Sequence, residues 1–90
     1  MHEEAPMQLQ WVLEGFHPET EELVQEYPLP RVDADAIRRI LNVPNGIPIE
    51  PFDFDVPDID AARALAEFTD EPVMIEPAIN YQLGCYRAEP

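Results

Sequence analysis

The sequence predicts an α+β domain: an antiparallel β-sheet in the order β-β-α-β-α-β, with two helices packed on one face. Segments 8–14 and 80–87 alternate apolar and polar residues, which is typical of half-buried strands. Segments that follow Asp33 and Asp58 repeat apolar residues at helical spacing. Eleven prolines divide the rest into short connections. The apolar side of the sheet and the apolar stripes of the helices then bury each other.

The first two strands are predicted to form a hairpin. Over residues 8–14, one face carries Leu9, Trp11 and Leu13. Gly and Pro in the stretch 15–20 provide the turn, and a second strand follows over about 21–27. Pro28 and Pro30 end this strand, because proline has no N–H to donate to a sheet. We expect Trp11 to be a core residue.

Both helices have a residue suited to start them. Asp33 and Asp58 are predicted N-caps, because an aspartate oxygen accepts a hydrogen bond from the unpaired N–H groups of the first turn. The first helix is expected to end near Asn42, and the second to cover roughly 59–68. Their buried stripes are Ile37, Ile40 and Leu41 in the first, and Ile59, Ala62, Leu65, Ala66 and Thr69 in the second.

The segment between the helices is predicted to be a weak strand. Prolines at 48, 51 and 57 restrict it to an edge strand or a broken one. One side carries Phe52, Phe54 and Val56, and the other carries Asp53 and Asp55. We therefore expect Phe54 in the core, and the two carboxylates free of packing contacts.

Two further strands are expected after the second helix. The first is a short strand over 73–75, and the second covers 80–87, with Tyr81, Leu83 and Cys85 on one side. Gly84 indicates a bulge or a close approach by another backbone. Cys85 is the chain's single cysteine, which excludes an internal disulfide. Its apolar neighbours favour a structural thiol over a reactive one.

The composition predicts one folded, acidic domain over residues 1–90, with residues 1–6 frayed. Its hydrophobic fraction of 46% is too high for a disordered acidic tail. Nineteen Asp and Glu stand against five Arg and no Lys, for a formal charge of −14. Such a surface repels phosphates and anionic lipid and accelerates encounter with a cationic partner. We expect a basic protein partner, no direct nucleic-acid binding and no membrane association.

The residue inventory argues against catalysis. The chain contains no Ser and no Lys, which excludes the usual activated nucleophiles other than Cys85. Its three glycines are too far apart for a phosphate-binding loop. We therefore expect no enzyme, no catalytic residues and no cofactor.

A metal site is also not expected. The run Asp53, Asp55, Asp58 and Asp60 invites comparison with a calcium loop, which needs Gly at its sixth position and Glu at its twelfth. Counted from Asp53, those positions hold Asp58 and Ala64. A zinc site would need three or four converging ligands, and only His2, His17, Cys85 and scattered carboxylates exist.

Several features favour a cytoplasmic location. Residues 1–4 are acidic, where a secretory signal needs positive charge followed by an apolar run. No apolar stretch approaches the roughly 20 residues that span a bilayer. A single cysteine fits a reducing compartment.

Three segments support a family resemblance. The hairpin reads FHPETEELVQEYPL over 16–29, the first helix ends in Ile40 and Leu41, and the last strand contains YQLGC over 81–85. They resemble a small bacterial family of short, acidic domains of unknown function, over roughly 10–87. Because these segments are structural, the resemblance implies no site residues. In size, charge and architecture, the chain is also similar to the immunity proteins that bacteria pair with secreted toxins.

The leading hypothesis is an inhibitor or immunity protein whose acidic surface occludes a basic toxin or enzyme. The predicted contact residues are Glu50, Asp53, Asp55, Asp58, Asp60, Asp70 and Glu71. Two alternatives stay open: an accessory or structural subunit of a larger bacterial complex, and a nucleic-acid mimic whose carboxylates imitate phosphates. A carboxylate-based enzyme is the fourth hypothesis.

Overall fold

The computed structural model describes residues 9–49 and 53–87. The elements are β1 (Leu9–Phe16), β2 (Leu23–Pro28), α1 (Ala34–Leu41), β3 (Phe54–Asp55), α2 (Ile59–Ala66) and β4 (Asn80–Arg87). They form an antiparallel sheet of order β2-β1-β4-β3, so the predicted fold class and element order are confirmed. The predicted fraying of residues 1–6, the contact residue Glu50 and the facing of Phe52 lie outside the described residues.

The central strands hold the sheet together. β1 pairs with β4 along its whole length, and Trp11 lies opposite Cys85 while Leu13 lies opposite Leu83. β1 also pairs with β2, where the register shifts between Gly15 and Phe16 and leaves one extra residue in β2. The alternation expected of β1 and β4 is confirmed by these pairs, which all belong to the buried side of the sheet.

Both helices pack on the same side of the sheet. A single hydrophobic cluster contains Trp11, Leu13, Tyr27, Leu29, Ile37, Ile49, Ala62, Leu65, Ala66, Tyr81 and Leu83. Trp11 is only 6% exposed, which confirms it as a core residue. Phe54 is half-buried against the cluster, so it lies at the margin of the core.

The hairpin turn explains why β2 begins later than predicted. His17 Nδ1 accepts hydrogen bonds from the N–H groups of Glu19 and Thr20, at 3.1 and 3.2 Å. Glu21 then takes a φ of 61°, in the left-handed region that a strand residue avoids. The predicted start near residue 21 is therefore wrong, and the strand starts at Leu23.

The predicted helix caps are confirmed. Asp33 accepts a hydrogen bond from Ala36 N, and Asp58 accepts one from Ala61 N, both at 2.8 Å. α1 ends at Leu41, and its C-cap Asn42, with a φ of 62°, closes the helix in the left-handed conformation. α2 ends at Ala66 and not at residue 68. No helix among the described residues has the length and apolar character to cross a membrane.

Two expectations near the C-terminus are wrong. Residues 73–75 form no strand, because side chains take up the backbone groups of Met74: its N–H donates to Tyr27 Oη and its carbonyl accepts from Gln25 Nε2. At Gly84 there is neither a bulge nor an approaching backbone. The register with β1 is continuous there, and the atoms that come close belong to side chains.

Candidate functional site

One side of the sheet has no helix on it among the described residues. Because side chains alternate along a strand, the residues between the core positions point to this second side. We call it the open face and define it by Val12, Glu14 and Phe16 of β1, Glu26 of β2, Gln82, Gly84 and Tyr86 of β4, and Asp55 of β3. None of these positions is an Arg or a His.

A row of acidic residues crosses the open face. Glu14 lies opposite Glu26 on one side and opposite Gln82 on the other. Asp55 in turn lies opposite Gln82. Neighbouring strands are about 4.8 Å apart, so the row spans roughly 14 Å from β2 to β3. Each of three strands contributes one carboxylate, and the fourth contributes an amide.

Glu14 is held by Tyr86. The residue is 8% exposed, and its Oε2 accepts a hydrogen bond of 2.6 Å from Tyr86 Oη. Tyr86 itself is 47% exposed, so its ring forms part of the surface. The bond satisfies a buried carboxylate, which would otherwise carry a desolvation cost. It also fixes the orientation of an exposed aromatic ring.

The charges around Tyr86 act on its phenol. Its pKa is raised to about 12 from 10.0, first by the hydrogen bond to Glu14 and then by burial. The negative charges of Glu14, Asp53 and Glu26 add to the increase, because each disfavours a phenolate. Tyr86 is therefore a neutral ring surrounded by carboxylates.

Gly84 makes this arrangement possible. A Cβ at this position would lie 2.7 Å from Glu14 Oε1 and 2.8 Å from Tyr86 Cε2. Both distances are shorter than real Cβ contacts, so a larger residue would push the ring and the carboxylate apart. The glycine is needed for its small size, since its φ is not positive.

We expect Tyr86→Phe to lower the free energy of unfolding by about 1 kcal/mol at neutral pH, because it leaves a buried carboxylate oxygen without its donor. A raised tyrosine pKa stabilises the fold below pH 10, and this contribution is lost as the pH rises through about 12. The difference between the two proteins should therefore shrink at high pH. Urea unfolding across that range measures it. A constant difference would contradict the assigned hydrogen bond.

Asp53 has a structural contact that the sequence did not indicate. Asp53 directly precedes β3, and its Oδ1 accepts a hydrogen bond of 3.2 Å from Cys85 N. The prediction that Asp53 is free of structural contacts is therefore wrong. Asp55 is exposed and makes no hydrogen bond or ion pair with a described residue, as expected. Cys85 is half-buried.

The other predicted contact residues lie apart from one another. Asp58 and Asp60 are at the beginning of α2, whereas Asp70 and Glu71 follow its end. An eight-residue helix separates these pairs by about 12 Å. Asp70 also forms an ion pair of 3.1 Å with Arg31. Asp55 belongs to the acidic row, and Asp53 lies near enough to Tyr86 for its charge to raise the pKa of the phenol.

A cleft continues from the open face around the β3 edge. It has a volume of about 410 Å³ and is lined by segments 55–59 and 76–82, except for Ala78. Asp55, Asp58 and Glu76 are its acidic residues, and Asp55 and Gln82 also belong to the open face. Within residues 9–49 and 53–87, no three His, Cys, Asp or Glu side chains group closely enough to hold a metal ion.

The sequence reasoning missed Glu14, Glu26 and Tyr86. Alternation along 8–14 and 80–87 does place Glu14 and Tyr86 opposite the core side, and this was the available signal. It could not show that they touch, because contact depends on the register between β1 and β4.

Comparison with known proteins identifies the chain by family. It belongs to the family described as "Domain of unknown function (DUF7683)", whose model matches residues 10–84 of the 90. No curated protein and no solved structure was found to match it.

Proposed function

We propose that this member of the DUF7683 family is a non-catalytic protein-binding domain whose open face holds a basic surface of a partner protein. The observation that supports it is the acidic row, in which Glu26 and Asp55 are exposed on either side of the buried Glu14, with the exposed ring of Tyr86 bonded to Glu14. The row collects charges from separate strands on a side of the sheet without a covering helix among the described residues.

The chemistry of this face suits a guanidinium or ammonium group. A cation over an aromatic ring is attracted by the electrons of that ring, and carboxylates within reach add charge-assisted hydrogen bonds. Tyr86 is held in place by its bond to Glu14, so less side-chain entropy is lost when a partner binds. The net charge of −14 adds long-range attraction that speeds encounter with a basic surface.

The proposal extends to the kind of partner. A domain of this form acts by covering a basic cleft of a toxin or enzyme, as an immunity protein or inhibitor would. The acidic cleft beside Asp55 would continue the contact around the β3 edge. We place this role in a bacterial cytoplasm, which the family resemblance and the single cysteine favour.

The test begins with a pull-down at low salt, after which binding kinetics are measured with each purified partner. We expect Glu26→Gln combined with Asp55→Asn to slow association roughly tenfold and to flatten its dependence on salt, because surface charges act mainly on encounter. Both side chains are exposed and neither forms a hydrogen bond or ion pair with a described residue, so the fold should be retained.

A matched control removes two charges elsewhere. Asp60→Asn combined with Glu71→Gln makes the same change in net charge on exposed residues that lie off the open face. A larger effect of the open-face variant than of the control locates the interface on the open face, and a larger effect of the control contradicts it. If both slow association to the same extent, net charge alone attracts the partner and the proposed interface is wrong.

A further inference from the structure

The two edges of the sheet differ in length. β3 has two residues, whereas β2 has six and lies at the other edge, where β1 is its only neighbouring strand among residues 9–49 and 53–87. An edge strand presents N–H and C=O groups that can pair with another extended chain. β2 is therefore the edge with enough backbone to accept a further strand.

The register shows which groups of β2 point outward. Leu29, directly after β2, donates its N–H to Trp11 O at 2.8 Å, so Trp11 and Leu29 form a hydrogen-bonded pair at this end of the ladder. In an antiparallel ladder such pairs alternate with pairs whose groups point away from each other. Glu14 and Glu26 form one of the latter pairs. The N–H and C=O of Glu26 thus face outward, and no described residue bonds to them.

Side chains hold this edge in place. Gln25 Nε2 donates to the carbonyl of Met74 at 3.0 Å, and Gln25 Oε1 accepts from Tyr81 Oη at 2.6 Å. Tyr27 Oη accepts from Met74 N at 3.1 Å. The strand is fixed by contacts on its core-facing side, and Met74 itself is 68% exposed.

The side chains along the edge select the chemistry of an added strand. Proline and charged residues on an edge strand protect a sheet from unselective pairing with other chains. In β2, Pro28 and Glu26 are residues of this kind. Glu26 repels an acidic residue placed opposite it and attracts a basic one. A second copy of this chain, with its charge of −14, is therefore disfavoured, whereas a basic extended segment is favoured.

We propose that β2 binds an extended segment of the basic partner as a fifth strand, with alternate basic residues on the open face beside Glu26 and apolar residues on the Met74 side. This binding mode rests on the proposed function, because it takes the basic charge of the partner from it. Main-chain hydrogen bonds to β2 supply the affinity of this binding mode, and the alternating side chains supply its specificity.

The experiment uses the full chain and a short synthetic peptide that alternates arginine and valine. Its control has the same composition, with all arginines at one end. A shift of one residue would turn every arginine to the wrong side, so only the alternating peptide fits the edge. We expect it to bind roughly tenfold more tightly than the control by calorimetry.

N-methylated peptides then test the backbone pairing directly. One variant is methylated on its arginine amides and the other on its valine amides. Only one of the two sets points toward β2 in a given strand orientation. We expect one variant to lose at least roughly tenfold in affinity while the other binds as before.

Equal binding by all of these peptides would overturn the fifth strand. The proposed function is judged separately in the same assay. If Glu26→Gln combined with Asp55→Asn weakens the binding of every peptide more than Asp60→Asn combined with Glu71→Gln does, the open face binds cations without strand addition. Dimerisation of the chain through β2, seen by size-exclusion chromatography and blocked by the alternating peptide, would assign the edge to a second copy instead.

Discussion

Replacing Trp11 with alanine is expected to destabilise the domain by about 3–5 kcal/mol, the usual cost of emptying a core position of this size. Trp11 is 6% exposed and lies in the central strand, opposite Cys85. It belongs to the cluster that joins both helices to the sheet. Domains have total stabilities of roughly 5–15 kcal/mol, so this one substitution should remove a large fraction of the stability, and most of it for a domain at the low end of that range.

Circular dichroism and thermal melting measure this effect. Glu19→Ala is the control, because that side chain is exposed in the hairpin turn and should change stability by no more than about 0.5 kcal/mol. A folded Trp11→Ala protein with an unchanged melting temperature would show that the assigned facing of β1 is wrong.

The features that sequence reasoning predicted correctly are local ones. Asp33 and Asp58 cap their helices through contacts three residues away, and alternation along β1 and β4 depends on strand geometry alone. Such signals are contained within a single element. They suffice for the order of elements and for the side of the sheet on which the helices pack.

Two of the errors arise where distant parts of the chain compete. Residues 73–75 are apolar enough for a strand, but Gln25 and Tyr27 take up the backbone of Met74. Position 84 requires glycine because the side chains of Glu14 and Tyr86 meet above it. No sequence pattern around residue 84 reveals this contact. In both cases the deciding partner lies in another strand of the sheet.

For the same reason, the sequence predicts only part of the candidate site. Alternation predicts a polar side for Asp53 and Asp55, whereas only nearness in sequence groups Asp58 and Asp60 with them. Asp58 is the N-cap of α2, as predicted, and Asp60 lies in its first turn. The residues that complete the open face come from β1 and β2, and only strand register brings them beside Asp55.

The second large effect is expected at Gly15. Substitution by alanine should cost about 1–3 kcal/mol, the usual range for overpacking a close-packed interior. An added Cβ would lie 2.7 Å from Ile79 Cγ2, 2.9 Å from Tyr81 Cε1 and 3.2 Å from Gln25 Cβ. The ring of Tyr81 cannot easily move, because its hydroxyl donates to Gln25 and accepts from Glu76 N at 3.0 Å.

Gly46→Ala is the matched control for this substitution. No atom lies within 4 Å of a Cβ built at Gly46, and its φ is not positive, so alanine should be neutral there or stabilise by up to about 1 kcal/mol. Chemical denaturation of the two variants beside the unmodified chain gives the comparison. A Gly15→Ala protein as stable as Gly46→Ala would mean that segment 76–81 does not lie against β1. The assigned contact between Tyr81 and Gln25, which holds the β2 edge in place, would then be wrong as well.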